Sequence, residues 1–459
     1  MAARRPILLN AFDMNTVSHI AHGLWRHPRD RSTDYKRLPY WLDMARTLER
    51  GLFDGLFLAD VTGVYDVWGG NADAALRDAI QLPINDPAVL VGAMASVTTH
   101  LGFGITATIA AESPHAFARR MSTLDHLSDG RLGWNIVTGF LDSSARAQGG
   151  TATAGHDQRY DRADEFMSLV YRLWESSWDG DAVIADRASG IYADPAKVRP
   201  IRHEGQFYRL DAVHPCEPSP QRTPLLFQAG ASARGTAFAA RHAEVVFVPN
   251  QGLQATAAVV RKLRAAMAEA GRDPSDARFV TTLQVVTGGT ENEARARYED
   301  YRRYARPEAG LVQFSSAIGV DLSRHGLDDP VTGGSADAIQ SSVDTLQRQK
   351  AAPTIRQLLT QMPLGGRHQP VVGTPAQIAD EIEAWVDEAG VDGFNLVRTV
   401  SPEGLEHFVD LVVPELQRRG LHKRAYAEGT WREKIFGRAS VRPPAVPVSV
   451  PARQPRADP

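Results

Sequence analysis

Three histidines, His19, His22 and His27, stand close together in the polar stretch that follows the first apolar run of the chain. Imidazole titrates near neutral pH, so His19 first and His22 second are candidates for proton transfer, while packed or surface histidines are an equal reading. Asp60 closes the apolar run FDGLFLA and places a carboxylate at the end of a strand. Thr106, Thr108, Asn135 and Thr138 end two further apolar runs, where they can hydrogen-bond a ligand. The string from Gly230 to Gly235, GASARG, follows PLLFQA and opens into a run of small residues. Such a turn presents backbone N–H groups and a positive dipole end to an anion such as phosphate, although many strand-to-helix turns contain glycine. In HDQRYDR, residues 156 to 162, Arg159 and Tyr160 read either as anion-site residues or as ordinary helix entry.

The elements that must position these groups are parallel strands and their covering helices. Residues Gly102 to Gly139 spell one βαβ unit: a strand Leu101 to Ala107, a helix opened by Ser113-Pro114, a turn at Ser128-Asp129-Gly130, and a strand Arg131 to Val137. Serine caps a helix by accepting an orphan N–H, and proline suits its first turn. The runs are apolar throughout, as strands buried on both faces must be. Further strands are predicted at Ile7 to Phe12, Phe53 to Ala59, Pro224 to Ala229, Glu244 to Val248, Arg278 to Val286 and Gly393 to Val397. Helices are predicted at Tyr40 to Arg50, from Asp86-Pro87 to about Thr98, at Ala163 to Glu175, Leu253 to Ala270, Glu291 to Tyr304, Ser335 to Lys350, from Thr374 to Ala389 and from Ser401-Pro402 to about Arg419. Eight strands alternating with helices predict an α/β fold, a (β/α)8 TIM barrel with insertions, with its ligands at the C-terminal strand ends. Residues 1–440 then form one domain. Within it, 288–373 breaks the strand-helix rhythm and reads as an insertion, either a lid or a subunit contact. Residues 441–459, rich in Pro, Arg and Ala, are expected to be a disordered tail.

Composition narrows the function classes. With 43% hydrophobic residues in 459, the chain can bury a large core. A net charge of −3 provides no basic footprint for nucleic acid. The single cysteine, Cys216, excludes an internal disulfide and fits a reducing, cytoplasmic setting. No run approaches a membrane span, and the N-terminal stretch has no long apolar region of the secretory kind. The histidines have no carboxylate at ligand spacing, so no metal is expected.

Taken together, LNAFDMN, GLWRHP, FDGLFLAD, RRMSTLDHLSDGRLGWNIVT, HDQRYDRADEF, EPSPQRTPLLFQAGAS, AARHAEVVF and DGFNLV resemble the bacterial-luciferase-like flavin monooxygenases. The resemblance lies in the branch that contains nitrilotriacetate, dibenzothiophene-sulfone and dimethyl-sulfide monooxygenases, and it runs from Ile7 to about Gly437. It implies an enzyme that takes FMNH2 from a separate NAD(P)H:flavin reductase, reacts it with molecular oxygen to a flavin C4a-hydroperoxide, and oxygenates a small organic substrate. A homodimer or homotetramer is implied by the resemblance alone. Family FMN contacts carry over to Asp60, Thr106, His156, Tyr160, Ala231 and Ser232, where the motifs match. Arg159 and Asn135 join them from the reading of the strand ends and the helix entry.

Three features depart from the pattern. The inferred phosphate site follows the fifth strand, whereas barrel phosphate sites commonly follow the seventh and eighth. Ala231 can contribute only backbone. Near Val312-Gln313-Phe314, where relatives carry an active-site histidine, this chain has Gln313. The leading expectation is oxygenation of a small organosulfur compound with C–S cleavage. The alternatives are an amine, an aminopolycarboxylate or a halogenated aromatic as substrate, deazaflavin hydride chemistry, or a flavin-binding barrel without catalysis.

Overall fold

A computed structural model describes residues 5–230, 232–334, 352–367 and 369–440. The eight barrel strands are β1 (Leu8–Met14), β2 (Gly55–Ala59), β3 (Gly102–Thr108), β4 (Leu132–Val137), β5 (Leu225–Ala229), β6 (Val245–Phe247), β7 (Arg278–Thr287) and β8 (Gly393–Val397). Each pairs in parallel with the next, and β8 pairs with β1, which closes the sheet into a barrel. All eight predicted strands are present, with ends displaced by at most a few residues. Two-sided burial makes such strands legible, because both faces must be apolar.

Alternate residues serve two cores. Leu8, Phe12, Phe57, Phe227, Val280 and Val397 fill the barrel interior, whereas Leu9, Leu56, Ile105 and Trp134 pack outward beneath the helices. Phe12 stands opposite Phe57 in the β1–β2 register, and their rings lie 5.5 Å apart edge to face. A slip of one residue would exchange the two faces, so the register is fixed by packing. The N-terminal mouth is closed by Trp431, whose indole lies flat on β2, β3 and β4. A Cβ added at Gly55, Gly102 or Gly133 would fall 2.4, 2.3 or 2.7 Å from that ring. Beside it, Arg432 and Glu244 form a buried ion pair at 2.6 Å.

Differences from the expected elements are local. The long helix is His156–Ser176, so HDQRYDR forms its first two turns and does not precede it. Its buried residues there are Arg159 and Tyr160, whose polar residue types break the apolar pattern, so apolar periodicity starts only at Ala163. The stretch after β2 contains a short turn, Trp68–Gly70, and a helix, Asp73–Arg77. The helix expected from Asp86 to Thr98 spans Ala88–Ala95. The closing helix is interrupted by a wider turn at Phe408–Val412.

Within 288–373 the described elements are helices Glu291–Arg302, Pro307–Ile318 and Ile355–Thr360 and a short strand, Val371–Gly373, that pairs with the end of β7. The helix expected at Ser335 to Lys350 and the tail at 441–459 lie outside the described residues.

Candidate active site

The C-terminal ends of β2, β3, β4 and β5 surround a cavity of about 390 Å³. Asp60, Thr106, His156, Arg159, Tyr160 and Ser232 all line it. These groups come from four strand-end connections, and the barrel alone brings them together.

One corner is built for an anion. Helix Ala233–His242 starts at Ser232, whose hydroxyl accepts from the Gly235 N–H at 3.0 Å as an N-cap. His156 and Tyr160 are four residues apart on one face of their helix and point at this turn. His156 Nε2 lies 3.4 Å from Ser232 Oγ. Burial, more than anything else, pushes the Tyr160 hydroxyl upward, so it stays protonated and can donate. Arg159 is anchored by donating to the Ala154 carbonyl at 2.9 Å and contributes positive charge. A helix N-terminus, a hydroxyl, an imidazole, a phenol and a guanidinium fit a phosphate group.

The opposite side suits a planar, hydrogen-bonding ring. Asn135 Nδ2 donates to Thr106 Oγ1 at 2.9 Å, so Asn135 stands behind Thr106 rather than in the wall. Its Oδ1 is a buried acceptor with no partner among the described residues. Burial, reinforced by the charge of Asp86, raises Asp60 to about 7, against the opposing pull of the Val61 N–H and Arg120. Its carboxyl can thus hold or release a proton near neutrality. Phe140, Leu141 and Phe247 supply apolar wall. A cavity of this size, with a phosphate corner at one end and apolar, proton-exchanging surroundings at the other, fits FMN.

Ala231 lies outside the described residues. His19 and His22 are absent from the cavity wall among the described residues. The His19 ring meets Phe12 edge to face at 4.4 Å, and Phe12 in turn meets Phe247 of the wall at 5.3 Å. His22 is fully buried in a directed chain of hydrogen bonds. Ser18 Oγ lies 2.9 Å from His22 Nδ1, and His22 Nε2 lies 3.1 Å from Gln313 Oε1. An amide oxygen only accepts, so Nε2 carries the hydrogen and Nδ1 accepts from Ser18. Gln313 also bonds Tyr65, whose hydroxyl donates to Gln81 Oε1 at 2.5 Å. Gln81 Nε2 returns to the His19 carbonyl at 2.7 Å. Burial, the largest effect on His22, lowers it to about 4 and keeps it neutral at pH 7. His22 is thus neutral near pH 7 and held at both ring nitrogens. Below this loop, Asp13 and Arg398 pair at 3.2 Å and tie β1 to β8. His27 bonds the Asp300 carboxylate at 2.9 Å, a contact joining the first loop to the insertion.

Sequence reasoning missed Gln228, Phe247, Thr62 and Ser144 in the wall. Gln228 had a signal, since it lies two residues before Gly230 of the glycine turn; the other three carry none outside the folded barrel.

Comparison with known proteins follows this geometry. The sequence profile of the family described as luciferase-like monooxygenase matches residues 19–393. The dimethyl-sulfide monooxygenase of Hyphomicrobium sulfonivorans is 44% identical over 436 residues, covering 95% of this chain and 91% of that protein. The long-chain alkane monooxygenase of Geobacillus thermodenitrificans is also 44% identical, covering 96% of each. A crystal structure of a riboflavin lyase with modified FMN and its substrate riboflavin superposes with a TM-score of 0.88 at 35% identity, covering 95% of this chain and 96% of that one. The barrel, the cavity at its C-terminal mouth and these matches along nearly the whole length agree: the chain belongs to the luciferase-like monooxygenase family and is a flavin-dependent monooxygenase.

Proposed function

We propose that this chain is the oxygenase of a two-component system, receiving FMNH2 from a separate NAD(P)H:flavin reductase and oxygenating a small organosulfur compound with C–S cleavage. The observation that carries this reading is the convergence of Asp60, Thr106, His156, Arg159, Tyr160 and Ser232 on one cavity. Bound reduced flavin supplies the activation of dioxygen. The chain's own residues bind, orient and exclude water. Ser232, His156, Tyr160 and Arg159 hold the phosphate. Thr106, braced by Asn135, and Asp60 orient the ring. Phe140, Leu141 and Phe247 keep the reacting face dry. Asp60 holds a proton in the wall, and His19 remains the histidine proposed for proton transfer. The described part of 288–373 serves as a lid anchored on the first loop: the Arg306 N–H donates to the His22 carbonyl at 2.9 Å, and Gly365 sits so tightly on His22 that a Cβ would fall 2.3 Å from its oxygen.

Oxygenation of a carbon bonded to sulfur gives a hydroxyalkyl thioether, which expels a thiol and leaves an aldehyde. The likeness to a dimethyl-sulfide monooxygenase supports that substrate class. A second reading, hydroxylation of a long-chain alkane, is favoured by the equal identity to a long-chain alkane monooxygenase. The test couples the chain to a flavin reductase with NADH and FMN and supplies a dialkyl sulfide or a long-chain alkane. Equal yields of thiol and aldehyde from the sulfide support the organosulfur reading. Alcohol from the alkane with none of those products replaces it with the second.

A further inference from the structure

Arg297, Arg306, Arg324 and Arg356 of the insertion meet Glu403, Asp78, Asp321 and Asp328 at 3.9, 3.2, 3.0 and 2.9 Å. Arg367 is different. Its guanidinium carbon lies 4.2 Å from the centre of the Phe314 ring, and no carboxylate pairs with it among the described residues. A guanidinium laid over a ring is held in plane while its N–H edge stays open, and that edge matches the two oxygens of a carboxylate. The residue is exposed to solvent, yet the protein atoms crowded around its guanidinium lower it to about 10. Exposure and crowding together describe a recess rather than open surface. At about 10 the group is still a cation at pH 7.

Two contacts place this recess beside the cavity at the C-terminal mouth. The backbone next to Arg367 is seated on the first loop, since a Cβ on Gly366 would fall 2.4 Å from Ile20 Cγ2. Ile20 in turn packs on the barrel-interior cluster that holds Phe12 and, at its edge, Phe247 of the cavity wall. The second contact runs along the helix Pro307–Ile318. Its Val312 belongs to an apolar cluster that includes Leu141 and, at its edge, Phe140, and both of those line the cavity. Phe314, which carries Arg367, stands only two residues further on, about 3 Å along the helix axis. Between them, Gln313 reaches His22 of the first loop. The apolar cluster suits a methylene chain, with the cavity at one end and a cation near the other.

We propose that Arg367 is a specificity-determining residue that binds a carboxylate on the substrate: the thioether enters the cavity by its sulfur end and carries a carboxylate at its far end. The thioether rests on the organosulfur reading given above, and the carboxylate rests on Arg367.

The test is anaerobic calorimetry on the full-length protein with saturating reduced FMN, in the wild type, Arg367→Gln and Arg367→Lys. The probes are methylthiopropanoate, methylthiohexanoate and the primary amide of each, which keeps the shape and removes the charge. The wild type is expected to bind at least one acid about tenfold more tightly than its amide. Arg367→Gln should bring that acid to within about twofold of the amide, and Arg367→Lys, which keeps the charge and loses the fork, should retain part of the preference. An acid bound no more tightly than its amide at either length, or Arg367→Gln weakening acid and amide alike, overturns the proposal. A reductase-coupled assay for released thiol separates its two parts. Acid held through Arg367 with no thiol released contradicts the organosulfur reading and leaves the carboxylate site standing. Thiol released from acid and amide with equal kcat/KM contradicts the carboxylate site and leaves that reading standing.

Discussion

His22 is held between Ser18 and Gln313, and burial drives its imidazole to about 4. An unfolded chain binds the proton near 6.5, so the unfolded state takes it up over a window in which the folded state refuses it. The folded state is therefore favoured above pH 6.5, and on the order of 3 kcal/mol is lost as pH falls from there to 4. His22→Gln should remove this part of the acid sensitivity. At pH 7.5 it should cost roughly 1–3 kcal/mol, because Ser18 and Gln313 lose a partner. Urea unfolding of both proteins at pH 5 and 7.5 measures the difference, and a variant that keeps the wild-type dependence contradicts the burial argument. Asp60 works in the other direction. Its carboxyl, raised to about 7, gains charge as pH rises and then repels the phosphate-bearing flavin. Affinity for reduced FMN should fall roughly fivefold through that range, and Asp60→Asn should flatten the fall. Anaerobic titration at pH 6 and 8 decides this. The sequence placed both residues near the ligand end, but it could not separate them by role. Ser18 and His22 are neighbours in the chain, whereas Gln313 lies 291 residues away from His22.

The turn from β5 into helix Ala233–His242 shows what an element contributes. Gly235 in its third position lies so near the proposed phosphate corner that a Cβ would stand 2.9 Å from the Tyr160 hydroxyl and 3.0 Å from Ser232 Oγ. Gly235→Ala should therefore separate stability from binding. Alanine gains up to about 1 kcal/mol as a helix former, so thermal unfolding should not suffer. Tyr160 and Ser232 must move, and affinity for reduced FMN should drop roughly tenfold. Unchanged affinity in this variant would place the phosphate elsewhere. Legibility at this scale followed burial. β1 to β8 were readable because each is apolar on both faces and bounded by turn residues. The start of the helix at His156 was not, because its first buried residues, Arg159 and Tyr160, are polar types that line the cavity and break the apolar period. The serine cap at Ser113 and the capping box of Thr374 with Gln377 were readable from local spacing.

At the scale of the molecule, the two mouths of the barrel divide stability from chemistry. The N-terminal mouth is plugged by Trp431 lying on Gly55, Gly102 and Gly133. Trp431→Ala opens a cavity there and should cost about 3–5 kcal/mol. Flavin affinity, which the proposed site assigns to the far mouth, should hold at a temperature where the variant remains folded. Chemical denaturation and flavin titration together check this, and a parallel loss of affinity would show that the two ends are coupled. No helix among the described residues is long and apolar enough to cross a membrane. The central claim concerns the C-terminal mouth, and rapid mixing tests it most directly. The protein, held anaerobically with photoreduced FMN, is mixed with oxygenated buffer while absorbance is followed. The account predicts a transient unlike oxidised or reduced FMN, outlasting the reoxidation of free flavin, with a decay that changes when an organosulfur substrate is present. Reoxidation at the rate of free flavin, with no protein-bound species, would contradict it.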